Sequence, residues 1–389
     1  MIRSCLVDFC RLRLFLAGVR LRSTTPRIES KTEETMRVLI AGICGFVGFT
    51  LARCLRERVE GIEILGFDNL IRSGSEVNRR LLSQLDCRVF HGDVRACSDF
   101  ETLPNVDWVI DAAANPSVIA GVDGKSSSRQ VIEHNLIGTI NLLEYCRRCS
   151  AGFILLSTSR VYSIRNLATL PLRRGETRFE LVHETETGVT VRGISEVFST
   201  CAPISLYGAT KLASEVLALE YGQAFQFPVR VNRCGVLAGA GQFGTADQGI
   251  FSYWIHAWRS KQPLKYIGFE GTGLQVRDAF HPNDLAALIN KQLSHAAVDA
   301  EEQVCNIGGG SANSMSLLEL SSWCRDRFGD HTVSKEEKRR QFDIPWVVMD
   351  SARAKSRWDW EPKMQLETIL DEIAKHAEAN PDWLEICGA

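Results

Sequence analysis

From Met36 onward the chain alternates short apolar runs with longer amphipathic ones. RVLIAG reads as a buried strand, FVGFTLARCLRERV carries its apolar positions at helical spacing, and IEILGFDN reads as a second strand. A strand, a helix and a strand within about 30 residues make a right-handed βαβ unit. CRVFHGDV, VDWVIDAAA, the helix around VIEHNLIGTINLLEYCRRC and the strand GFILLST continue the alternation. The runs predict an α/β protein: a Rossmann-like, doubly wound parallel sheet covered by helices on both faces, with a smaller C-terminal α/β lobe for substrate.

The alternation occupies residues 36–235, interrupted by a polar insertion over 164–203 in which FELVHE and VTVRG are expected to pair as a hairpin. After the insertion, LYGATKLASEVLALEYGQAF reads as an amphipathic helix with Ser205 placed to cap it, and FPVRVNRCGVL as a further strand. Residues 236–389 mix glycine-rich loops, aromatics and shorter helices, which predicts the second lobe. Residues 1–35 differ from the rest, being rich in arginine and poor in acids. They read as a disordered extension or an overcalled start, and an organelle-targeting peptide is the alternative. The folded part is expected in the cytoplasm.

Composition narrows the partners. The 389 residues are 45% apolar and 24% charged, enough for one large or two medium domains. A formal net charge of -2, without a clustered basic face beyond the N-terminus, points away from nucleic acid. No stretch reaches the roughly 20 apolar residues that span a bilayer, so no membrane partner is expected. Thirteen cysteines lie mostly inside apolar segments, as buried thiols of a reducing compartment do. Cys146 and Cys149 form a CxxC without a second pair, and a closed zinc site needs about four ligands. No metal is expected.

Gly42, Gly45 and Gly48 form a GxxGxxG between a strand and a helix. The first glycine allows the tight turn, the second lets the backbone approach a pyrophosphate, and the third lets helix and strand pack closely. Phe46 and Val47 open the helix, whose free N–H groups and positive dipole end favour phosphate. Asp68, with Asn69 beside it, ends the second strand about 20 residues on, where a carboxylate can accept both ribose hydroxyls. That placement favours NAD over NADP, with nearby Arg72 expected in solvent. Asp93 and Val94 end the third strand, with Asp93 placed for the adenine amino group. Ala112, Ala113 and Ala114 supply small side chains under the cofactor, and Asn135, an amide within an apolar helix, is expected to tie strand ends together around it.

Tyr207 and Lys211 stand four residues apart on one helix face. An ammonium beside a phenol draws its pKa down from about 10. A phenolate can then accept a proton from a sugar hydroxyl while hydride leaves the same carbon, and the lysine can also hold the nicotinamide ribose.

The glycine turn at 42–48, Asp68, the strand end STSRVYS, YGATK, VRD at 276–278 and the closing WDWEPKMQLETIL together resemble the extended short-chain dehydrogenase/reductase family, the NAD-dependent sugar-nucleotide epimerases and dehydratases. The resemblance covers nearly all of the chain from Met36. It implies NAD as cofactor, a nucleotide sugar as substrate and a homo-oligomer, dimer or tetramer. It also implies roles: Thr158 hydrogen-bonds the reacting sugar, Tyr207 is the base and Lys211 its partner. Arg277 binds the diphosphate with its fork, and Asn115 and Ser117 contact substrate. Two departures stand out. Ser159 and Arg160 occupy the positions where dehydratases carry the acid and base that eliminate water, and Val236 replaces an asparagine found in many 4-epimerases. DNLIRSGSEVNRRLL, AANPSVIAGVDG and GQFGTADQGIFSYW are similar to members that invert carbon 2 of a CDP-sugar, which favours a CDP-sugar substrate. The alternatives are another nucleotide-sugar oxidoreductase or decarboxylase of the same fold, and a non-catalytic dinucleotide-binding scaffold.

Overall fold

Seven parallel strands form the central sheet of the computed structural model, which describes residues 35–124, 127–295, 303–337 and 341–389. The readings made for residues 1–34 lie outside the described residues. The strands are β1 Arg37–Ala41, β2 Glu63–Asp68, β3 Arg88–His91, β4 Trp108–Asp111, β5 Gly152–Thr158, β6 Val229–Cys234 and β7 Val304–Ile307. Their spatial order is β3-β2-β1-β4-β5-β6-β7. The order reverses between β1 and β4, and a crevice opens at such a point at the carboxyl ends of the strands.

The apolar runs follow from burial on both faces. Val38, Ile40, Ile110 and Ile154 pack on one side against Leu51 and Leu55 of helix α1 (Phe46–Arg58) and Leu285 and Leu288 of the Pro282–Leu293 helix. Their neighbours Leu39, Val109, Phe153 and Leu155 pack on the other side against Leu142 and Cys146 of the Gly138–Cys149 helix and Ala218 of the Ser205–Phe225 helix. Alternate residues of these strands thus feed two cores, so apolar side chains fill both faces, and the polar exceptions Asp111, Ser157 and Thr158 stand at the carboxyl ends of their strands.

Past residue 236 the chain does two things. It returns to the sheet as β7, paired with β6 from Val231 and Val304 onward. It also builds a third core from Phe251, Trp254, Leu320, Ile369 and Leu370, around the strand Val276–Phe280. That strand runs parallel to Val236–Leu237 and Trp346–Val347 and antiparallel to Ser314–Ser316. Residues 35–389 form one compact unit.

The insertion folds differently from expectation. Phe179–Leu181 pairs antiparallel with Leu172–Arg174, and Val189–Thr190 pairs with Gly193–Ile194. Two hairpins replace the single expected one: Phe179–Leu181 takes its partner from the residues before it across a four-residue loop, and Val189–Thr190 takes Gly193–Ile194 across a two-residue loop.

A buried ion pair fixes the Ser205–Phe225 helix on the sheet. Arg233 of β6 reaches Glu215 of the helix with Nη2 at 2.7 Å and Nε at 3.1 Å from each carboxylate oxygen. Ser157 donates to the same carboxylate, while Arg233 Nη1 donates to Tyr162, whose hydroxyl donates to Asn306 Oδ1 at 2.6 Å. Asn306 in turn donates to the Ile194 carbonyl at 2.8 Å, tying the insertion to the sheet. Removing one partner of a buried pair strands the other charge, at about 3–5 kcal/mol. Glu215→Gln is therefore expected to destabilise by about that amount in urea unfolding, and the double variant Glu215→Leu with Arg233→Met by clearly less than the single.

Asp278 carries the opposite cost. Its carboxylate is buried, accepts the N–H groups of Gly310 and Met349 at 3.1 and 3.3 Å, and is pushed by burial from 3.8 up to about 6. A pKa raised on folding stabilises only below the unfolded value, and that contribution is lost as pH rises through about 6. Asp278→Asn escapes this titration. Its stability relative to the parent is expected to rise between about pH 4 and pH 7, by at most about 3 kcal/mol in urea unfolding.

Candidate active site

A cavity of about 950 Å³ opens where the ends of β1, β2, β4 and β5 meet the segment after residue 236. That is a size suited to small-molecule ligands. The glycine turn forms one wall. Gly42 has φ +74°, and a Cβ on Gly48 would stand 2.2 Å from the Gly42 carbonyl, so strand and helix meet at a distance only glycine permits. No side chain caps α1 at Gly45. The first N–H groups of that helix are left to whatever fills the cavity, and Gly42, Gly45, Phe46, Val47 and Gly48 all line it.

Asp68 is held in place from two directions. Oδ2 accepts the Cys44 N–H at 2.9 Å and Oδ1 the Leu70 N–H at 2.8 Å, which pins the carboxylate to the glycine turn. Each oxygen keeps a lone pair for a hydroxyl donor, and burial raises the carboxyl pKa. The adjacent Cys44 thiol is pushed up to about 12 by burial and by Asp68, so it stays protonated.

Asn69, Val94, Ala112, Ala113, Ala114 and Asn115 line the same cavity. Asp93 is placed otherwise. Its oxygens take Arg95 Nε at 2.9 Å, Arg95 Nη2 at 2.6 Å and Asn69 Nδ2 at 3.0 Å. The guanidinium beside it holds the Asp93 carboxyl far below the usual range, while neighbours Gly92 and Val94 form the wall.

Asn135 lies one shell back, in a π-helical turn over Glu133–Ile137. Its Oδ1 accepts the Asn115 N–H at 2.8 Å, and its Nδ2 donates to the Asn115 carbonyl at 3.1 Å and to Thr210 Oγ1 at 3.3 Å. The amide therefore joins the β4 end to the helix that carries Tyr207. Ser117 is buried behind the wall, and its N–H donates to Asn115 Oδ1 at 3.3 Å.

Tyr207 and Thr158 face each other in the cavity. The Thr158 hydroxyl draws the Tyr207 phenol pKa down, and Thr158 Oγ1 accepts the Arg160 N–H at 3.1 Å. The helix reaches this position because Gly208 has no side chain: a Cβ there would stand 2.3 Å from the Arg160 carbonyl. Ser205 Oγ accepts the Gly208 N–H at 3.1 Å and so caps the first turn. Burial pushes the Tyr207 phenol up to about 12, with Thr158 and Arg160 pulling the other way.

Lys211 stands one turn on from Tyr207 along the same helix. It is buried, outside the cavity wall, and its ammonium acts on Asp111 and Cys234. Asp111 also accepts from Thr139 Oγ1 at 2.8 Å and from the Ala113 N–H at 3.2 Å. This carboxylate was missed in the sequence, although an acid in the apolar strand VDWVID was a signal for it. The opposing pull on Tyr207 thus comes from Thr158 and Arg160 rather than from Lys211.

Arg277 lines the cavity from the strand Val276–Phe280, with Nη2 3.6 Å from Asp343 Oδ1. Its neighbour Asp278 points to the Gly310 and Met349 N–H groups. Burial lowers the Arg277 pKa. Ser159, Arg160 and Val236 complete this end of the wall. No helix of the described residues is long and apolar enough to cross a membrane, and the described residues hold no cluster of three or more metal-ligating side chains.

An uncapped helix N-terminus, an oriented carboxylate, a phenol paired with a hydroxyl and an arginine on the far wall fit a dinucleotide beside a phosphorylated substrate. Comparison with known proteins agrees. Among curated proteins, the CDP-paratose 2-epimerase of Salmonella typhi is 31% identical over 347 residues, 87% of this chain and 98% of that protein. Among solved structures, the UDP-glucuronic acid 4-epimerase of Bacillus cereus, in complex with UDP-glucuronic acid and NAD, superposes with TM-score 0.71 at 23% identity, over 88% of this chain and 99% of that one. A dTDP-glucose 4,6-dehydratase of Streptomyces venezuelae gives TM-score 0.73 at 22% identity, over 90% and 100% of the two chains. A family profile, NAD dependent epimerase/dehydratase, matches residues 38–308. The chain belongs to the NAD dependent epimerase/dehydratase family, and NAD is its cofactor.

Proposed function

We propose that the protein inverts one carbon of a nucleotide-bound sugar through a transient ketone, with carbon 2 of a CDP-sugar as the reacting centre and CDP-paratose to CDP-tyvelose as the reaction. The supporting observation is the composition of the wall beside Tyr207. The two positions after Thr158 are Ser159 and Arg160, so a hydroxyl and a cation stand where elimination of water would need an acid and a base. The similarity to CDP-paratose 2-epimerase supports the choice of carbon and nucleotide.

The 42–48 turn and Asp68 would hold NAD, which would supply a reversible hydride acceptor. Thr158 orients the sugar hydroxyl, and Tyr207 accepts its proton and later gives it back. Because burial raises the phenol pKa, Tyr207 needs positive charge nearby to work as a base, and Arg160 is one source of it. The Lys211 ammonium, on the same helix as Tyr207, favours the ionised form of Asp111. Arg277, in the segment 236–389 that we assign to the nucleotide sugar, grips the diphosphate while the hexose turns to present its other face.

A panel of CDP-, UDP-, GDP- and dTDP-sugars tests the reading. Epimerisation of a CDP-sugar at carbon 2 is expected, with no net NADH. Stoichiometric NADH, or preferred turnover of UDP-glucuronate, would favour the oxidoreductase or decarboxylase alternative. Tyr207→Phe is expected to lower kcat by about 10²–10⁴ while the protein still carries NAD. Near-wild-type turnover by that variant would remove Tyr207 from its role.

A further inference from the structure

Arg72 was expected in solvent, and it is not there. Four residues after Asp68, its guanidinium crosses to the other side of the cavity, where Nη2 donates to the Phe243 carbonyl at 2.5 Å and Nη1 to Gln248 Oε1 at 2.8 Å. No carboxylate among the described residues pairs with it. Withdrawing a guanidinium from water is costly unless hydrogen bonds offset it. Here one backbone carbonyl and one neutral amide provide them.

The two loops meet along a line. A Cβ on Gly74 would stand 2.7 Å from the Phe243 ring, so Gly74 lies in direct contact with it. Phe243 stacks on Trp383 with centroids 5.5 Å apart and planes 19° apart, and Trp383 Nε1 donates to the Gln242 carbonyl at 2.9 Å. Cys387 completes the cluster, so the C-terminal helix Trp383–Ile386 braces the 242–249 loop from behind. Asp68, Asn69 and Arg72 line the cavity on one side of this contact, and Gln242, Phe243 and Gln248 on the other.

We propose that Arg72 is a positioning residue that latches the 242–249 loop over the dinucleotide and keeps it on the protein between turnovers. The latch joins two loops 171 residues apart and spans the cavity that the cofactor enters. A reaction that hands its hydride back has no use for cofactor exchange, and a contact that slows release suits it. Because the latch consists of two hydrogen bonds to neutral groups, it can open for the first loading.

The test reads release of NADH from the loaded protein by fluorescence, after a chase with excess NAD and without any sugar nucleotide. Its outcome is therefore independent of the substrate assignment above. Arg72→Met is expected to release NADH at least tenfold faster, about the effect of losing one charge-assisted hydrogen bond. Gln248→Ala, which removes one arm of the latch from an outer loop, is expected to fall between Arg72→Met and the parent. Parent-like release from both variants would overturn the proposal. So would an Arg72→Met protein that loses affinity for CDP, measured by calorimetry, while its NADH release stays unchanged, since Arg72 would then belong to the substrate side.

Discussion

The buried pair between Glu215 and Arg233 is the contact on which the site depends. It is placed where the longest helix of the described residues crosses the ends of β5 and β6. Ser157 and Tyr162, on either side of Thr158, join it through their hydroxyls. The strand end that carries Thr158 and the helix that carries Tyr207 are therefore locked in register by charge rather than by apolar packing alone. A buried ion pair contributes little net stability, but it is directional and punishes misplacement. For a phenol and a hydroxyl brought together from a helix and a strand end, direction matters more than stability.

Around this lock the backbone does much of the positioning. Gly48 against the Gly42 carbonyl and Gly208 against the Arg160 carbonyl are two approaches that no side chain could survive. The first brings a helix N-terminus to the cavity, and the second brings Tyr207 to Thr158. Polar side chains then orient the remaining pieces: Asp68 holds the glycine turn, Asn135 holds Asn115, and Asp111 sits opposite Lys211. Arg72 adds closure across the cavity, where the C-terminal helix supports the loop it grips.

Much of this was legible in the sequence, for a physical reason. Strands covered on both faces are apolar through most of their length, so β1, β4 and β5 stood out as runs, and the glycine turn sat between one such run and a helix. What stayed hidden depends on contacts between residues distant in the chain. The Lys211 ammonium acts on Asp111, a hundred residues away, and Arg72 meets Phe243, 171 residues away; neither partner can be inferred from spacing. The two hairpins of the insertion were misread because alternation within FELVHE and VTVRG does not say which neighbour each strand chooses. The ion pair of Asp93 with Arg95, two residues on, was within reach of spacing and was still overlooked.

The central claim is that one carbon of the sugar loses its hydrogen to NAD and receives the same hydrogen back on its other face. A CDP-paratose labelled with deuterium at carbon 2, incubated with the purified protein in ordinary water and analysed by mass spectrometry and NMR, tests it directly. The account predicts that the epimer retains the label at carbon 2. Loss of the label to solvent would mean that the carbon is inverted by proton exchange, and would contradict it.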